Sequence, residues 1–279
     1  MPEANSALKP IVKWAGGKRQ ILNELLRYVP KRFGTYYEPF FGGGSLFIAL
    51  SKAGNIRKSV ISDTNPDIYN LYSIVKEKPG RLIEELDNIS YGNVRSDYYS
   101  ARDEFNGMPP FGARRAALFL YLNRLGYNGL YRVNSKGKFN VPFGRYKTHS
   151  MPSREEILAF SEALRGCSIL DKDFEIAVSD AEAGDLVYFD PPYMPVSNTA
   201  YFTDYTPAGF SYQDQRRLSE VTFKLLERGV AVIISNADTP EIRELYKSIN
   251  VVQINARRSI NSVARGRGAV SELIIYGLP

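Results

Sequence analysis

Leu186-Val187-Tyr188-Phe189-Asp190-Pro191-Pro192-Tyr193 is half apolar run and half proline-bound turn. Four apolar residues in succession read as a buried strand. Prolines cannot donate to a ladder, so the strand stops there. A carboxylate, a rigid turn and an aromatic ring then stand at the strand's carboxyl end. In open α/β sheets that edge is where ligands bind. An amino group on a flat heterocycle would suit this corner. Asp190 and the carbonyl of Pro191 can accept its N–H hydrogens, and Tyr193 can stack on the ring. Taken alone, the four residues Asp190–Tyr193 also fit a plain strand-ending turn with a surface aspartate.

Strands are expected on both sides of this one: 36–38, 60–63 and 168–170 before it, and 230–235 after it. Helical stretches near 20–28, 45–52 and 212–228 alternate with them, which implies a mostly parallel sheet. Residues 251–255 and 273–276 read as a closing antiparallel pair. The middle lacks this alternation. Helical segments dominate it, at 66–75, 81–88, 96–106 and 113–124, followed by the turn-rich Gly126–Arg132 and a hairpin tip at Asn134-Ser135-Lys136-Gly137. The expected organisation is a sheet domain made of residues 1–65 and 168–279, with 66–167 inserted into it.

At 279 residues the chain can bury a sizeable core. No apolar stretch approaches a membrane span, and Met1–Pro10 has no apolar signal core, so secretion is not expected. One cysteine, Cys167, excludes an internal disulfide and a thiolate metal cluster. One histidine, His149, leaves little room for a histidine metal site or a Ser-His-Asp triad, and it reads as a surface loop residue. Both scarcities point to the cytoplasm and to chemistry without a metal.

The net charge is +6, and its distribution says more. Phe105–Arg154 holds nine Lys/Arg and no acid, and Leu245–Ser271 holds five and again none. These segments carry 14 of 36 basic residues, which leaves 22 basic against 30 acidic elsewhere, net −8. Such segregation is the footprint of a polyanion-binding surface on an acidic body. A solvated basic face is the plain alternative, although it usually has acids interspersed.

Glu38-Pro39-Phe40-Phe41-Gly42-Gly43-Gly44-Ser45 falls between a strand and a helix. Its glycines let backbone approach a ligand, and the helix start adds exposed N–H donors. Asp63 follows Gly44 by 19 residues, at a strand end. It has two readings: acceptor of the ribose hydroxyls of a nucleoside, or cap of the next helix through Asn65-Pro66. The G-x-G-x-x-G fingerprint is absent, which disfavours a pyrophosphate cofactor. Lys13-Trp14-Ala15-Gly16-Gly17-Lys18 fits an aromatic-and-backbone clamp, and its spacing is not that of a P-loop. Core packing is the other reading of Trp14.

Together these segments resemble DNA adenine-N6 methyltransferases, the Dam-type group of the α class. The resemblance rests on K-W-A-G-G-K (13–18), E-P-F-F-G-G-G-S (38–45), L-F-L-Y-L-N-R-L-G-Y-N-G-L (118–130), F-N-V-P-F-G-R-Y-K (139–147), D-P-P-Y (190–193) and R-R-S-I (257–260). It covers nearly the whole chain, in the family's motif order. It implies a Rossmann-like S-adenosylmethionine-dependent methyltransferase sheet with an inserted, mainly helical DNA-recognition domain. The implied activity is methylation of adenine N6 in duplex DNA by base flipping, in GATC, with S-adenosylhomocysteine as the other product and no metal. The implied partners are double-stranded DNA, with no membrane, and a separately encoded restriction endonuclease if the enzyme serves restriction–modification.

The resemblance also implies roles for single residues. Asp190, Pro191, Pro192 and Tyr193 would form the catalytic corner. Trp14, Ala15, Gly17, Lys18, Glu38, Phe40, Gly42, Gly44, Asp63 and Asp190 would hold the cofactor. Lys13, Tyr127, Asn128, Leu130, Arg132, Pro142 and Tyr146 would read bases, with Arg132 on guanine and Tyr127 wedged into the stack. Tyr127 and Leu130 also read as core. Lys136, Lys138, Arg145, Lys147, Arg265 and Arg267 would meet phosphates. The rival readings are an amino-methyltransferase acting on protein glutamine or RNA, and a DNA-binding regulator without catalysis.

Overall fold

A computed structural model describes residues 7–14, 16, 18–193, 210–257 and 269–279. The chain divides into two compact units. The first takes Met1–Gly17, Gly42–Asn55 and Asp63–Asp171, and the second takes Lys18–Phe41, Ile56–Ser62 and Lys172–Pro279. The glycine turn and the helix after it therefore group with the middle of the chain. Packing explains this: Phe47 of helix Ser45–Lys52 stacks on Phe160 at 6.2 Å, and the Tyr72 hydroxyl donates to the Gly42 carbonyl at 2.9 Å.

The strands are β1 Thr35–Glu38, β2 Lys58–Ser62, β3 Cys167–Leu170, β4 Leu186–Phe189, β5 Ala231–Ala237, β6 Asn250–Arg257 and β7 Ala269–Gly277. All but β3 belong to the second unit, in the order β2-β1-β4-β5-β7-β6. β2, β1, β4 and β5 run parallel, whereas β7 is antiparallel to both β5 and β6. The fold is the expected α/β, Rossmann-like one with its antiparallel closing pair. β4 has a partner on each side and is buried throughout, so its sequence is apolar without alternation.

Successive side chains of a strand still point to opposite faces. Val187, Phe189, Val232, Ile234, Leu273 and Ile275 form one core with Phe174, Leu218 and Tyr246. Helix Tyr212–Glu227 contributes Leu218, Val221 and Leu225 to it, three positions on one helical stripe, and starts at a Ser211/Asp214 capping box. The register pairs Tyr36 with Leu186 and Tyr188 with Ile233. Tyr36, Glu38, Tyr188 and Ser235 therefore share the other face. One side of the sheet is oil and the other carries buried polar groups.

The first unit is helical, with Pro66–Glu77, Pro79–Asp87, Arg95–Gly107 and Ala113–Leu125 as expected. Arg154–Ala163 is an additional helix. Its signal is Ser153-Arg154-Glu155-Glu156, a capping box in which Ser153 and Glu156 each accept the other's backbone N–H. Ala113–Leu125 is buried over Ala116–Asn123 and at Leu125, as suits a helix apolar all round. No helix among the described residues is long and apolar enough to cross a membrane.

Three asparagines tie this unit together, each holding both the N–H and the C=O of a distant residue. Asn70 holds Gly112 at 2.8 and 3.1 Å. Asn106 holds Phe139 at 2.8 and 3.0 Å. Asn123 holds Lys13 at 2.7 and 2.8 Å, with a further bond to the Gly129 carbonyl. Asn70 is buried, so truncation strands the Gly112 groups. Asn70→Ala should cost about 1–3 kcal/mol in urea unfolding with the m-value unchanged. A loss below about 0.5 kcal/mol would mean that the clamp contributes nothing net.

Candidate functional site

In the second unit, Asp190 follows β4 and is half-buried. Its Oδ1 takes the Lys18 ammonium at 2.8 Å and the Ser235 hydroxyl at 2.8 Å. Among the described residues no donor reaches Oδ2. Lys18, only 5% exposed, also lies over the Tyr193 ring, 4.7 Å from its centroid. The Tyr193 hydroxyl donates to Glu272 on β7 at 3.0 Å. Tyr188 stands 2.9 Å from Ser235 Oγ. Burial first, and then the charge of Asp190, push the Tyr188 phenol well above its ordinary value, so it keeps its proton.

At the end of β1, Glu38 is buried and accepts the Tyr36 hydroxyl at 2.8 Å. Burial, then Glu38, likewise raise the Tyr36 phenol. Phe40 packs into the apolar core, with ring centroids 5.5 Å from Phe174 and 5.5 Å from Phe210. Among the described residues the corner thus offers a held carboxylate with one oxygen that no donor reaches, beside an aromatic ring. It can accept hydrogens from an amino group.

In the first unit, Gly42 and Gly44 both have left-handed backbone, at φ 45° and 61°. Trp14 is half-buried and lies against the turn: a Cβ on Gly42 would come 2.4 Å from its Cδ1. Its ring also meets Tyr131 at 6.0 Å. Helix Ser45–Lys52 starts with no side-chain cap, so the turn keeps N–H groups to offer. Asp63 closes the turn: Oδ2 accepts from Gly42 N–H and Oδ1 from Asn65 N–H, each at 2.9 Å. Burial pushes its carboxyl up to about 6, and the two N–H bonds limit the rise. The helix cap itself is Asn65, whose Oδ1 accepts from Asp67 N–H at 2.9 Å. Each oxygen of Asp63 retains a further lone pair for a hydroxyl.

The turn-rich stretch of the same unit gathers Lys13, Tyr127, Asn128 and Tyr146. The Lys13 ammonium donates to the Arg124 carbonyl and lies 4.4 Å from the Tyr146 ring centroid. Desolvation, then Arg124, lower its pKa. The Tyr146 hydroxyl accepts from Asn128 N–H at 2.8 Å, and Tyr127 N–H bonds to the Pro142 carbonyl at 2.9 Å. Tyr127 is 44% exposed, so it is not core, while Leu130 is half-buried. Asn128 and Arg145, at φ 54° and 55°, are the two non-glycine left-handed residues among those described. Such backbone strain concentrates at working sites.

Asn134-Ser135-Lys136-Gly137 is a tight turn, with Gly137 N–H on the Asn134 carbonyl at 2.9 Å. Exposed Arg132 is held from behind by Asn140, through Nε at 2.7 Å and Nη2 at 3.1 Å. Lys136, Lys138, Arg145 and Lys147 are exposed, and so is His149. Arg114 and Arg115 of the acid-free stretch instead pair with Glu104 and Asp67, which lie outside it. Ala15, Gly17, Arg265 and Arg267 lie outside the described residues. Sequence reasoning missed Tyr188, Ser235 and Glu272. Ser235-Asn236 at the end of an apolar strand was the available signal.

A family model described as D12 class N6 adenine-specific DNA methyltransferase matches residues 14–260. The chain belongs to this family. It is 43% identical over 277 residues to the Type II methyltransferase M1.LlaDCHI of Lactococcus lactis subsp. cremoris, covering 97% of this chain and 96% of that protein. It is 39% identical over 274 residues to the DNA adenine methylase of Escherichia coli K12, covering 97% and 96%. Among solved structures, precorrin-6y C5,15-methyltransferase of Geobacter metallireducens GS-15 matches 97% of this chain and 99% of that one, with a TM-score of 0.39 and 8% identity. The chain is thus an adenine-specific DNA methyltransferase, and its corner and turn belong to an enzyme of that class.

Trp14 is the chain's one tryptophan, so its fluorescence reports the glycine turn. Gly42→Ala must displace the indole, whereas a Cβ on Gly43 meets only Trp14 Cβ at 3.4 Å. Gly42→Ala should shift the emission maximum, whereas Gly43→Ala should not. Identical spectra for the two variants would refute this packing.

Proposed function

We propose that the enzyme transfers a methyl group from S-adenosylmethionine to N6 of an adenine flipped out of duplex DNA, in GATC. The observation that carries this reading is Asp190: among the described residues its donors sit on Oδ1 and none reaches Oδ2, at a strand end beside Tyr193. In this reading 1–65 and 168–279 do the chemistry and 66–167 selects the target.

S-adenosylmethionine, when bound, supplies an electrophilic methyl group on a sulfonium. Gly42 and Gly44 would give it close backbone approach, Trp14, Ala15, Gly17, Glu38 and Phe40 are the further residues assigned to hold it, and Asp63 would accept from the ribose. Lys18 acts on Asp190 rather than on the cofactor alone.

Adenine N6 is a weak nucleophile because its lone pair is delocalised into the ring. Asp190 Oδ2 takes one N–H hydrogen and the carbonyl of Pro191 the other. A nitrogen held in this way becomes more tetrahedral and recovers its lone pair. Pro192 keeps the turn rigid, and Tyr193 stacks on the purine. Direct in-line transfer then depends on positioning and electrostatics. As the N6–C bond forms, the S–C bond would break to release S-adenosylhomocysteine, and the extra N6 proton would then pass to solvent, so the reaction needs no histidine base.

Arg132 reads guanine. Its Nε edge is occupied by Asn140, which supports end-on contact through the remaining guanidinium hydrogens. Exposed Tyr127 fits a wedge, and Lys13, Asn128, Leu130, Pro142 and Tyr146 complete the reading surface. Lys136, Lys138, Arg145, Lys147, Arg265 and Arg267 meet phosphates. The Type II name of the lactococcal relative supports a separately encoded restriction endonuclease as partner. The place of action is the cytoplasm, on nucleoid DNA.

Labelled methyl donor, incubated with duplexes that contain or lack GATC, tests the whole reading. Incorporation at N6 of adenine in the first set alone is expected, and equal incorporation in both would reject GATC. In a panel of single-base variants, Arg132→Ala should lose about 1–3 kcal/mol of discrimination at one guanine. Lys138→Ala should weaken all duplexes alike and lower the salt slope by about one unit. Uniform weakening by Arg132→Ala, with preference intact, would make Arg132 a backbone contact.

Cofactor affinity should fall as pH drops below about 6, because protonation takes the charge from the ribose acceptor at Asp63. Asp63→Asn should bind more weakly by roughly 1.5–3 kcal/mol and lose that pH dependence. If calorimetry finds unchanged affinity in the folded variant, Asp63 serves only to close the glycine turn.

A further inference from the structure

We propose that Ser235, backed by Tyr188, is a positioning residue for methyl transfer: it turns the Asp190 carboxylate so that Oδ2 faces the amino group. The inference rests on the reading of Asp190 as acceptor of the amino hydrogen.

A serine hydroxyl has one proton. Ser235 donates it to Asp190 Oδ1 at 2.8 Å, so Tyr188 must be the donor in its contact with Ser235 Oγ at 2.9 Å. The direction of the chain is thereby set: Tyr188 O–H to Ser235 O–H to Asp190. Both hydroxyl residues are buried and lie on the same face of neighbouring parallel strands. Tyr188 stays a donor because its burial and the anion ahead of it hold its proton.

A carboxylate otherwise rotates freely about its last torsion, since that well is broad. Here Oδ1 is held by two donors from different elements, Ser235 from β5 and Lys18 from the 3₁₀ turn Lys18–Gln20. Together they restrict that rotation, and among the described residues no donor reaches Oδ2. Lys18 supplies charge, whereas Ser235 supplies direction. Donors aligned head to tail polarise one another, which tightens the last bond. A serine that merely filled a gap would matter to stability and would not depend on Asp190.

The test is a double-mutant cycle on the full chain, read as single-turnover methylation of a GATC duplex. Ser235→Ala should slow transfer about tenfold or more, since misplacing a reacting group is costly. DNA and cofactor affinities should stay within twofold. In the Asp190→Asn background the same change should have no further effect. Tyr188→Phe removes one atom and should slow transfer in the same direction by a smaller factor. Additive losses in the cycle, or full-speed transfer by a folded Ser235→Ala, would overturn the proposal. Should Ser235→Ala fail to fold, an unslowed Tyr188→Phe overturns it equally. Unimpaired transfer by Asp190→Asn would sink the underlying reading of Asp190 instead.

Discussion

The contact between the Lys18 ammonium and the Asp190 carboxylate is the constraint around which the second unit is arranged. Taking both charges out of water is unfavourable unless geometry and further hydrogen bonds compensate. The chain supplies them from separate places. The 3₁₀ turn Lys18–Gln20 brings the ammonium, β4 ends one residue before the carboxylate, and β5 adds a hydroxyl. The prolines after Asp190 prevent the strand from running on and carrying the acid into a ladder. An aromatic face then covers the ammonium. The Asp190 corner and the polar face of the sheet are therefore one structure, and the oily face opposite lets that polarity be buried at all.

The first unit obeys a different rule. Its turns carry isolated bridges and turn bonds rather than a regular ladder, and side chains satisfy further backbone groups. Asn123 joins Lys13 to Gly129, and the Tyr146 hydroxyl meets the Asn128 amide. The Lys13 backbone, Gly129 and Asn128 are thereby tied to side chains elsewhere in the chain.

The legible parts of this molecule were the local ones. A four-residue apolar run, two prolines and a glycine turn each act over a few residues, so β4, its end and helix Ser45–Lys52 could be read directly. The polar chain through Tyr188 and Ser235 could not, because it depends on the register between β4 and β5. The charge count failed in part for a similar reason. Arg115 lies in a stretch without acids, yet Asp67, 48 residues earlier, neutralises it. For Asp63 the helix-cap reading gives way to Asn65, which is the cap itself, while Asp63 braces the turn and that residue. Helix Arg154–Ala163 was legible and overlooked, since its capping box stands in four consecutive residues.

The three asparagine clamps have a consequence for how such a chain drifts. A carboxamide presents an N–H and a C=O side by side, and each clamp uses both against one backbone unit. Among the twenty residues only glutamine shares that pair, on a longer stem. No single-nucleotide change converts an asparagine codon into a glutamine codon. The one-step neighbours, aspartate, serine, threonine, lysine, histidine, isoleucine and tyrosine, all lose the side-by-side pair. These three positions are therefore isolated in mutational space: lineages must keep them unchanged or rebuild the turn they hold.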